Sequence, residues 1–189
     1  MDRSTLYNVA NLKTGDIILF SGKCFVSRVI KFVTNSPWSH IGMIVNNPEH
    51  DTPMLYESSH DHGVRLTPFN EYRRAFVGDM ALRRLKHDLS DKEHYRLRIF
   101  KNQVRGTPFE ANAVQMLASV PAWWFLSSRE DLSSMFCSEL VAQCYKEIGL
   151  LGQDRASNKY TPAAFSAERN LPLTRGELGP QILIKEYVK

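Results

Sequence analysis

The amino-acid sequence predicts an α+β fold, and three observations carry this prediction. Short β-rich segments cluster in the middle of the chain, and segments whose apolar residues have helical spacing flank them. No internal repeat or low-complexity linker divides the 189 residues. Because a chain of this length fits one compact domain, we expect residues 1–189 to form a single domain.

The first predicted elements are a strand and a helix. The segment LKTGDIILF indicates a turn and then a short buried strand over residues 16–20. In CFVSRVIKFVT the apolar residues recur with helical spacing, which predicts a helix from about residue 23 to residue 34. Pro37 in NSPWS is a stop signal for that helix.

Four further strands are predicted along the chain. HIGMIV (40–45) is followed by a cluster of turn-forming residues, MLYES (54–58) precedes a turn around Gly63, and a third strand covers about residues 79–85. QILIKEYV (181–188) is predicted as the last strand. Because two short strands joined by a turn pair with each other, we expect residues 40–45 and 54–58 to be neighbours.

Helices are predicted for most of the second half. Ser90 with Glu93 three residues later forms a capping box, which starts a helix that reaches about Arg105. GTPFEANAVQMLAS indicates a loop and then a helix, and the aromatic segment VPAWWFLSSREDLSS is irregular. The segment SSMFCSELVAQCY begins a helix that ends near Gly149.

The composition excludes several classes of protein. Hydrophobic residues make up 43% of the chain and charged residues 23%, which is typical of a globular fold with a core. The net charge of +4 favours anionic surfaces only mildly, and the basic pairs 73–74 and 83–84 are interpreted as solvated faces, so no nucleic-acid partner is expected. The N-terminal residues contain no apolar core of a signal peptide, and no apolar run approaches the roughly 18 residues of a membrane span.

The cysteine and histidine patterns argue against a metal centre. Cys24, Cys137 and Cys144 are an odd, sparse set without C-x-x-C spacing, which predicts a reducing, cytoplasmic location. His60 and His62 form an H-x-H pair, but no Cys or Glu partner stands at a diagnostic spacing. Since no glycine-rich nucleotide loop is visible either, neither a cofactor nor a metal is expected.

Cys137 is a candidate nucleophile because of its place at the start of a helix. Ser133 or Ser134 could cap that helix, which would put Cys137 in the first turn, where unpaired N–H groups and the positive dipole end favour a thiolate. Cys144 shares the periodic apolar face of the helix and is interpreted as a buried core thiol. We expect the same of Cys24.

A thiol nucleophile needs a base and a group that orients the base, and His40 and Glu57 are the candidates. On the two-residue period of a strand, His40, Gly42 and Ile44 share one face, while Glu57 shares a face with Leu55 and Ser59. If the two strands pair, Glu57 lies beside His40, where a carboxylate would fix the imidazole tautomer. A hydrogen-bonded strand-end histidine and a solvated glutamate are the simpler alternatives.

Four segments, TGDIILF, SPWSHIGMIV, LYESS and FCSELVAQCY, occur in an order that resembles a known family. The chain resembles the circularly permuted papain-like cysteine enzymes of the NlpC-type superfamily, in particular the YiiX/YaeF-like group and its poxviral relatives. The resemblance implies a central antiparallel sheet or half-barrel packed by helices, with the catalytic cysteine at a helix N-terminus. It also implies that Cys137 is the nucleophile, His40 the base and Glu57 the orienting residue, and that Asp16 is structural.

The expected activity is that of a cysteine hydrolase, which cleaves amide or ester bonds through a thioester and acts on lipid-like or acylated substrates. The backbone N–H of Cys137 is the expected oxyanion donor. Trp123 and Trp124 are candidate substrate-binding residues that line a wall for an acyl chain or meet a membrane surface, and Ser39 beside His40 is a third candidate. A core plug is the alternative for the tryptophans. Alternative functions are a thiol acyltransferase and a non-catalytic binding module that keeps the papain-like groove.

Overall fold

Six strands form one antiparallel sheet in the computed structural model, which describes residues 11–46, 51–59, 63–104 and 133–187. The strand order is β4-β3-β2-β1-β5-β6, and each neighbouring pair is antiparallel. The strands are β1 (Ile17–Gly22), β2 (His40–Val45), β3 (Met54–Ser59), β4 (Gly63–Pro68), β5 (Gly78–Leu85) and β6 (Leu178–Lys185).

Four α-helices accompany the sheet in the described residues, and the predicted α+β class is confirmed. They are α1 (Phe25–Val33), α2 (Phe69–Ala75), α3 (Asp91–Val104) and α4 (Ser133–Glu147), and three short 3-10 helices cover Ser157–Lys159, Pro162–Phe165 and Ala167–Arg169. The helix predicted within residues 106–119 and the aromatic segment 120–134 lie outside the described residues, apart from Ser133 and Ser134. Within the described ranges, no helix has both the length and the apolarity to cross a bilayer.

Both faces of the central strands are covered, which is why all six residues of β1 are buried. One face carries Ile17 and Leu19, which belong to a hydrophobic cluster with Leu140 of α4. The other face carries Phe20, which belongs to a second cluster with Phe69 of α2. Because side chains alternate along a strand, a continuous apolar run such as IILF is what a sheet between two layers requires.

The apolar face predicted for α4 is confirmed. Leu140, Val141, Cys144 and Ile148 are all fully buried in the cluster below the sheet. Burial raises the pKa of the Cys144 thiol, so this sulfur is an unreactive core group.

The expectation that Cys24 is also a buried core thiol is wrong. Cys24 is exposed and is the N-cap residue of α1, where its Sγ accepts a hydrogen bond from the Ser27 N–H at 3.5 Å. The helix starts at Phe25 and not at about residue 23, so Cys24 precedes the first turn in which it was expected.

Arg83 also differs from its expected place on a solvated face. It is buried, and its guanidinium donates hydrogen bonds of 2.8–2.9 Å to four carbonyl oxygens, those of Phe165, Ser166, Leu178 and Gly179. An arginine in a strand is buried at low cost only when carbonyls satisfy its donors, and these four do so. Arg83 therefore links β5 to β6 and to the 3-10 segment before it.

The capping box of α3 is confirmed. The Ser90 N–H donates to Glu93 Oε2 at 2.7 Å, and the Glu93 N–H donates to Ser90 Oγ at 3.4 Å. Burial alone would raise the pKa of Glu93, but the hydrogen bonds from Ser90 and His87 outweigh burial and lower the pKa to about 2.

Candidate active site

His40 begins β2, and its place is set by strand pairing. It lies opposite Phe20 of β1 in the register, and the two ring centroids are 5.2 Å apart. The His40 side chain is 18% exposed, so the imidazole is mostly buried but reaches the protein surface. The change from polar to apolar residues at PWSH fixes this position, because the strand starts where the apolar run starts.

Glu57 lies beside His40 on the same face of the sheet. The β2–β3 register pairs Met43 with Tyr56, which puts Glu57 opposite Gly42 and diagonal to His40. Glu57 Oε2 accepts a hydrogen bond from His40 Nε2 at 2.6 Å, and the Glu57 side chain is fully buried. The structure therefore brings these two predicted residues into direct contact.

Arg65 of β4 binds the other oxygen of the same carboxylate. The β3–β4 register pairs Glu57 with Arg65, whose Nε and Nη2 donate to Glu57 Oε1 at 2.9 and 2.8 Å. Tyr72 of α2 also lies beside the carboxylate and hydrogen-bonds to it, and the Arg65 guanidinium carbon is 5.8 Å from the centre of the Tyr72 ring. Glu57 is thus held from three sides, by His40, Arg65 and Tyr72.

These contacts keep Glu57 ionised. Burial alone would raise the pKa of the Glu57 carboxyl, but the hydrogen bonds and positive charges of His40 and Arg65 outweigh burial and hold the pKa below its usual range. Burial, with the charge of Glu57 added, raises the pKa of Tyr72, so its phenol keeps its proton and donates.

Cys137 of α4 is the third member of the group. Its side chain is fully buried, and it forms a hydrogen bond with the imidazole of His40. Since Nε2 of His40 is engaged by Glu57, Nδ1 is the ring nitrogen that faces the thiol. Burial alone would lower the pKa of His40, but the charge and hydrogen bond of Cys137, followed by those of Glu57, outweigh burial and raise the pKa to about 10.

The position of Cys137 within its helix differs from the prediction. Helix α4 begins at Ser133, so Cys137 is the fifth helical residue and not part of the first turn. Only the first N–H groups of a helix lack an intrahelical acceptor, and the N–H of the fifth residue bonds to the carbonyl of the first. The first-turn placement is therefore wrong, while the role of the Cys137 N–H as oxyanion donor stays a prediction. The dipole also weakens beyond the first turn, which leaves His40 as the main partner of the thiol.

The substrate-binding candidates remain predictions. Ser39 is buried, and its hydroxyl accepts from the Gly22 N–H at 3.1 Å and donates to the Phe20 carbonyl at 3.3 Å. These bonds join the end of β1 to the start of β2, directly beside His40. Trp123 and Trp124 lie outside the described residues.

Sequence reasoning missed Arg65 and Tyr72, although one signal pointed to Arg65. The sequence indicates the turn at Gly63 but does not mark the strand that follows it. In this hairpin Ser59 pairs with Gly63, and each step back along β3 matches one step forward along β4. Two steps from that pair, Glu57 therefore lies opposite Arg65. An opposite charge across from a strand carboxylate could therefore have been found. Nothing comparable marks Tyr72, because it belongs to a short helix that the apolar pattern did not reveal.

The described residues contain no group of three or more His, Cys, Asp or Glu side chains that could hold a metal ion. The H-x-H pair of His60 and His62 lies outside the described residues. His40, Glu57 and Cys137 instead bond to one another, and Arg65 holds the remaining oxygen of the carboxylate.

Comparisons with known proteins agree with the fold and its order of segments. No curated protein gives a significant match. The solved structure titled "Crystal structure of metalloprotein yiiX from Escherichia coli O157:H7, DUF1105" is similar to the chain with a TM-score of 0.52 and 22% identity, over 91% of this chain and 88% of that one. The family model described as "Permuted papain-like amidase enzyme, YaeF/YiiX, C92 family" matches residues 11–166. The predicted resemblance is thus confirmed, and the chain belongs to the permuted papain-like amidase family C92.

Proposed function

We propose that the chain is a cysteine amidase that cleaves an acyl amide or ester bond through a thioester on Cys137. The observation that carries the proposal is the placement of His40, which hydrogen-bonds to Cys137 on one side and donates to Glu57 Oε2 at 2.6 Å on the other. A thiol, a base and a carboxylate that orients the base are the parts that nucleophilic acyl transfer needs. Membership of an amidase family supports the same chemistry.

The reaction starts from a thiolate–imidazolium pair. A pKa of His40 near 10 means that the imidazolium persists at neutral pH beside the Cys137 sulfur. The thiolate attacks the acyl carbonyl, and His40 gives its proton to the leaving amine or alcohol as the carbon–nitrogen or carbon–oxygen bond breaks. The thioester remains on Cys137. Neutral His40 then takes a proton from water, whose oxygen attacks the thioester, and the acid and the thiol are released.

Glu57, Arg65 and Tyr72 keep the imidazole in its working orientation. The carboxylate holds the Nε2 proton, so Nδ1 faces the sulfur. Arg65 and Tyr72 in turn prevent the carboxylate from rotating away from His40, because they occupy its other hydrogen-bonding positions. Arg65 and Tyr72 are therefore positioning residues, whereas Cys137 and His40 contact the reacting atoms.

An activity screen tests the proposal. Purified chain is incubated with acyl amides, acyl esters and peptidoglycan fragments, and wild type is compared with Cys137→Ser. An activated ester such as p-nitrophenyl acetate is added in parallel, and intact-mass spectrometry followed by peptide mapping locates any acyl adduct. We expect one acyl group on the peptide that contains Cys137 in wild type and none there in Cys137→Ser. If the adduct forms on Cys24 instead, or turnover is unchanged in Cys137→Ser, the proposal is wrong.

A further inference from the structure

Exposed apolar side chains gather at the end of the sheet where His40 lies. Of the eight large hydrophobic side chains exposed in the described residues, five lie at this end, and we call them the docking face: Phe25, Phe32, Val33, Val77 and Tyr187. Phe25 is 69% exposed, Phe32 87% and Val77 59%.

Strand pairing and hydrogen bonds bring Phe25, Val77 and Tyr187 to the same end of the sheet, and Phe32 and Val33 belong to the same helix as Phe25. Gly22 at the end of β1 pairs with Gly78 of β5, so α1, which starts at Phe25, and Val77 flank the same pair. The Tyr187 N–H donates to Asp79 Oδ1 at 2.9 Å, next to Gly78. Lys31 Nζ donates to the Gly22 carbonyl at 2.9 Å and fixes α1 against the strand end.

Helix α1 is attached by one side and displays aromatic rings on another. Ile30 is buried against the protein, whereas Phe25 and Phe32 are seven residues apart and lie on nearly the same side of the helix, about 10 Å apart along its axis. A helix that leaves two phenylalanines in water has an apolar surface that a bilayer interface would accept.

The charges around the docking face are mainly positive. The sequence of α1, FVSRVIKFV, contains no acidic residue, and Arg28 on it is exposed. Lys23 precedes the helix, and Arg74 is exposed in the last turn of α2, close in the chain to Val77. Acidic groups also lie at this end: Asp79, with which Lys23 pairs at 2.7 Å, and the exposed Glu186 beside Tyr187. Glu168 borders the pocket that Asn35 lines just after α1. A basic rim around apolar rings complements an anionic lipid surface.

The docking face adjoins the candidate active site. The Gly22 N–H donates to Ser39 Oγ at 3.1 Å, and Ser39 precedes His40. We propose that this face docks the protein onto the surface of an anionic phospholipid bilayer. Docking there brings the site of His40 and Cys137 to the depth of lipid head groups and acyl chains. The docking itself does not need the chemistry proposed for Cys137, whereas the choice of a membrane-borne acyl substrate rests on that function.

Vesicle co-sedimentation of the full-length chain tests this proposal. The vesicles are phosphatidylcholine alone or phosphatidylcholine mixed with phosphatidylserine, at low and high salt. We expect wild type to bind the anionic vesicles, and the partition coefficient to fall about tenfold or more in the double variant Phe25→Ser/Phe32→Ser, because binding scales with the apolar area that enters the interface. Added salt should weaken binding, since the basic rim is screened.

A matched control uses two exposed apolar residues of α3. Tyr95→Ser/Ile99→Ser removes side chains that are also exposed on a helix, and it should bind vesicles as wild type does. Cys137→Ala should bind as well as wild type, so a failure of docking and a failure of the proposed function can be told apart.

Several results would overturn the proposal. One is absence of wild-type binding to anionic vesicles, and another is equal binding by the Phe25→Ser/Phe32→Ser variant or an equal loss in the Tyr95→Ser/Ile99→Ser control. Sedimentation velocity tests whether a second copy of the chain covers the docking face instead. That would follow if wild type forms a dimer, the Phe25→Ser/Phe32→Ser variant does not, and neither binds vesicles. Folding of each variant is checked by circular dichroism.

Discussion

Replacing Arg65 with methionine is the sharpest perturbation of the candidate site, because it removes one contact of Glu57 without touching Cys137 or His40. Arg65 donates two N–H groups to Glu57 Oε1, at 2.9 and 2.8 Å. Methionine keeps much of the side-chain length but leaves that oxygen of a fully buried carboxylate without its guanidinium partner. We expect Glu57 to lose part of its hold on the His40 imidazole.

The size of the effect follows from burial. Removing one partner of a buried ion pair costs about 3–5 kcal/mol. Arg65 is 31% exposed, so solvent already weakens this pair, and about 2 kcal/mol is the reasonable expectation for the loss of stability. If a loss of the same size falls on the orientation of the imidazole in the transition state, kcat/KM decreases about 30-fold.

The pH profile separates positioning from a merely structural effect. The folded-state pKa of Glu57 is lowered, so the carboxylate is lost only as the pH falls through that lowered value. Removing the positive charge of Arg65 raises the pKa of Glu57, and the acid limb of kcat/KM should move to higher pH. The assay is kcat/KM against pH on an acyl amide or ester turned over by wild type, with urea unfolding in parallel.

Two further variants make this test discriminating. Arg65→Lys keeps the charge but not the two-pronged geometry, so it should recover only part of the activity. Arg96→Met removes an exposed arginine of α3 and should leave both limbs of the profile unchanged. An unmoved acid limb in Arg65→Met, with kcat/KM equal to that of wild type, would refute the positioning role of Arg65.

Three predictions concern stability. Arg83→Met leaves four carbonyl oxygens without their donor and should destabilise the protein by about 3 kcal/mol in urea unfolding. If the effect is as small as that of Arg96→Met, Arg83 does not link these segments. Gly78→Ala should lower the melting temperature, because Gly78 has φ of 150° and an added Cβ would lie 2.2 Å from the Ser21 carbonyl oxygen; an unchanged melting temperature would argue against this close approach. Glu93 stabilises the fold above its unfolded pKa, and this stability is lost as the pH falls to about 2. Glu93→Gln should therefore flatten the acid side of the plot of unfolding free energy against pH. A plot identical to that of wild type would count against the capping contacts.

The sequence predicted those parts of the molecule in which a simple period dominates. The two-residue alternation placed His40 and Glu57 on strand faces, and the helical period placed Cys144 in the core. The order of four short segments was enough to indicate the family. In each case the pattern is set by burial against the sheet, which is the strongest physical constraint on a chain of this composition.

The parts that the sequence did not predict depend on tertiary contacts. All six residues of β4 are half-buried, because it is an edge strand, so its pattern lacks the contrast that marks β1. Arg83 is buried only because four carbonyls from distant segments converge on it, which no local pattern reveals. Helix α4 starts earlier than predicted, so Cys137 is its fifth residue and not part of its first turn. Capping residues in the sequence do not define a helix end to within one or two residues.

The rate of alkylation of the three cysteines tests the central claim, that His40 activates Cys137, most directly. Iodoacetamide is added at neutral pH, and mass spectrometry follows Cys24, Cys137 and Cys144 separately in wild type and in His40→Gln. Accessibility alone predicts that Cys24 reacts first, since it is exposed while Cys137 and Cys144 are buried. The thiolate–imidazolium pair predicts that Cys137 reacts first in wild type and loses this advantage in His40→Gln. A Cys137 that reacts more slowly than Cys24, or equally fast with and without His40, would contradict the account.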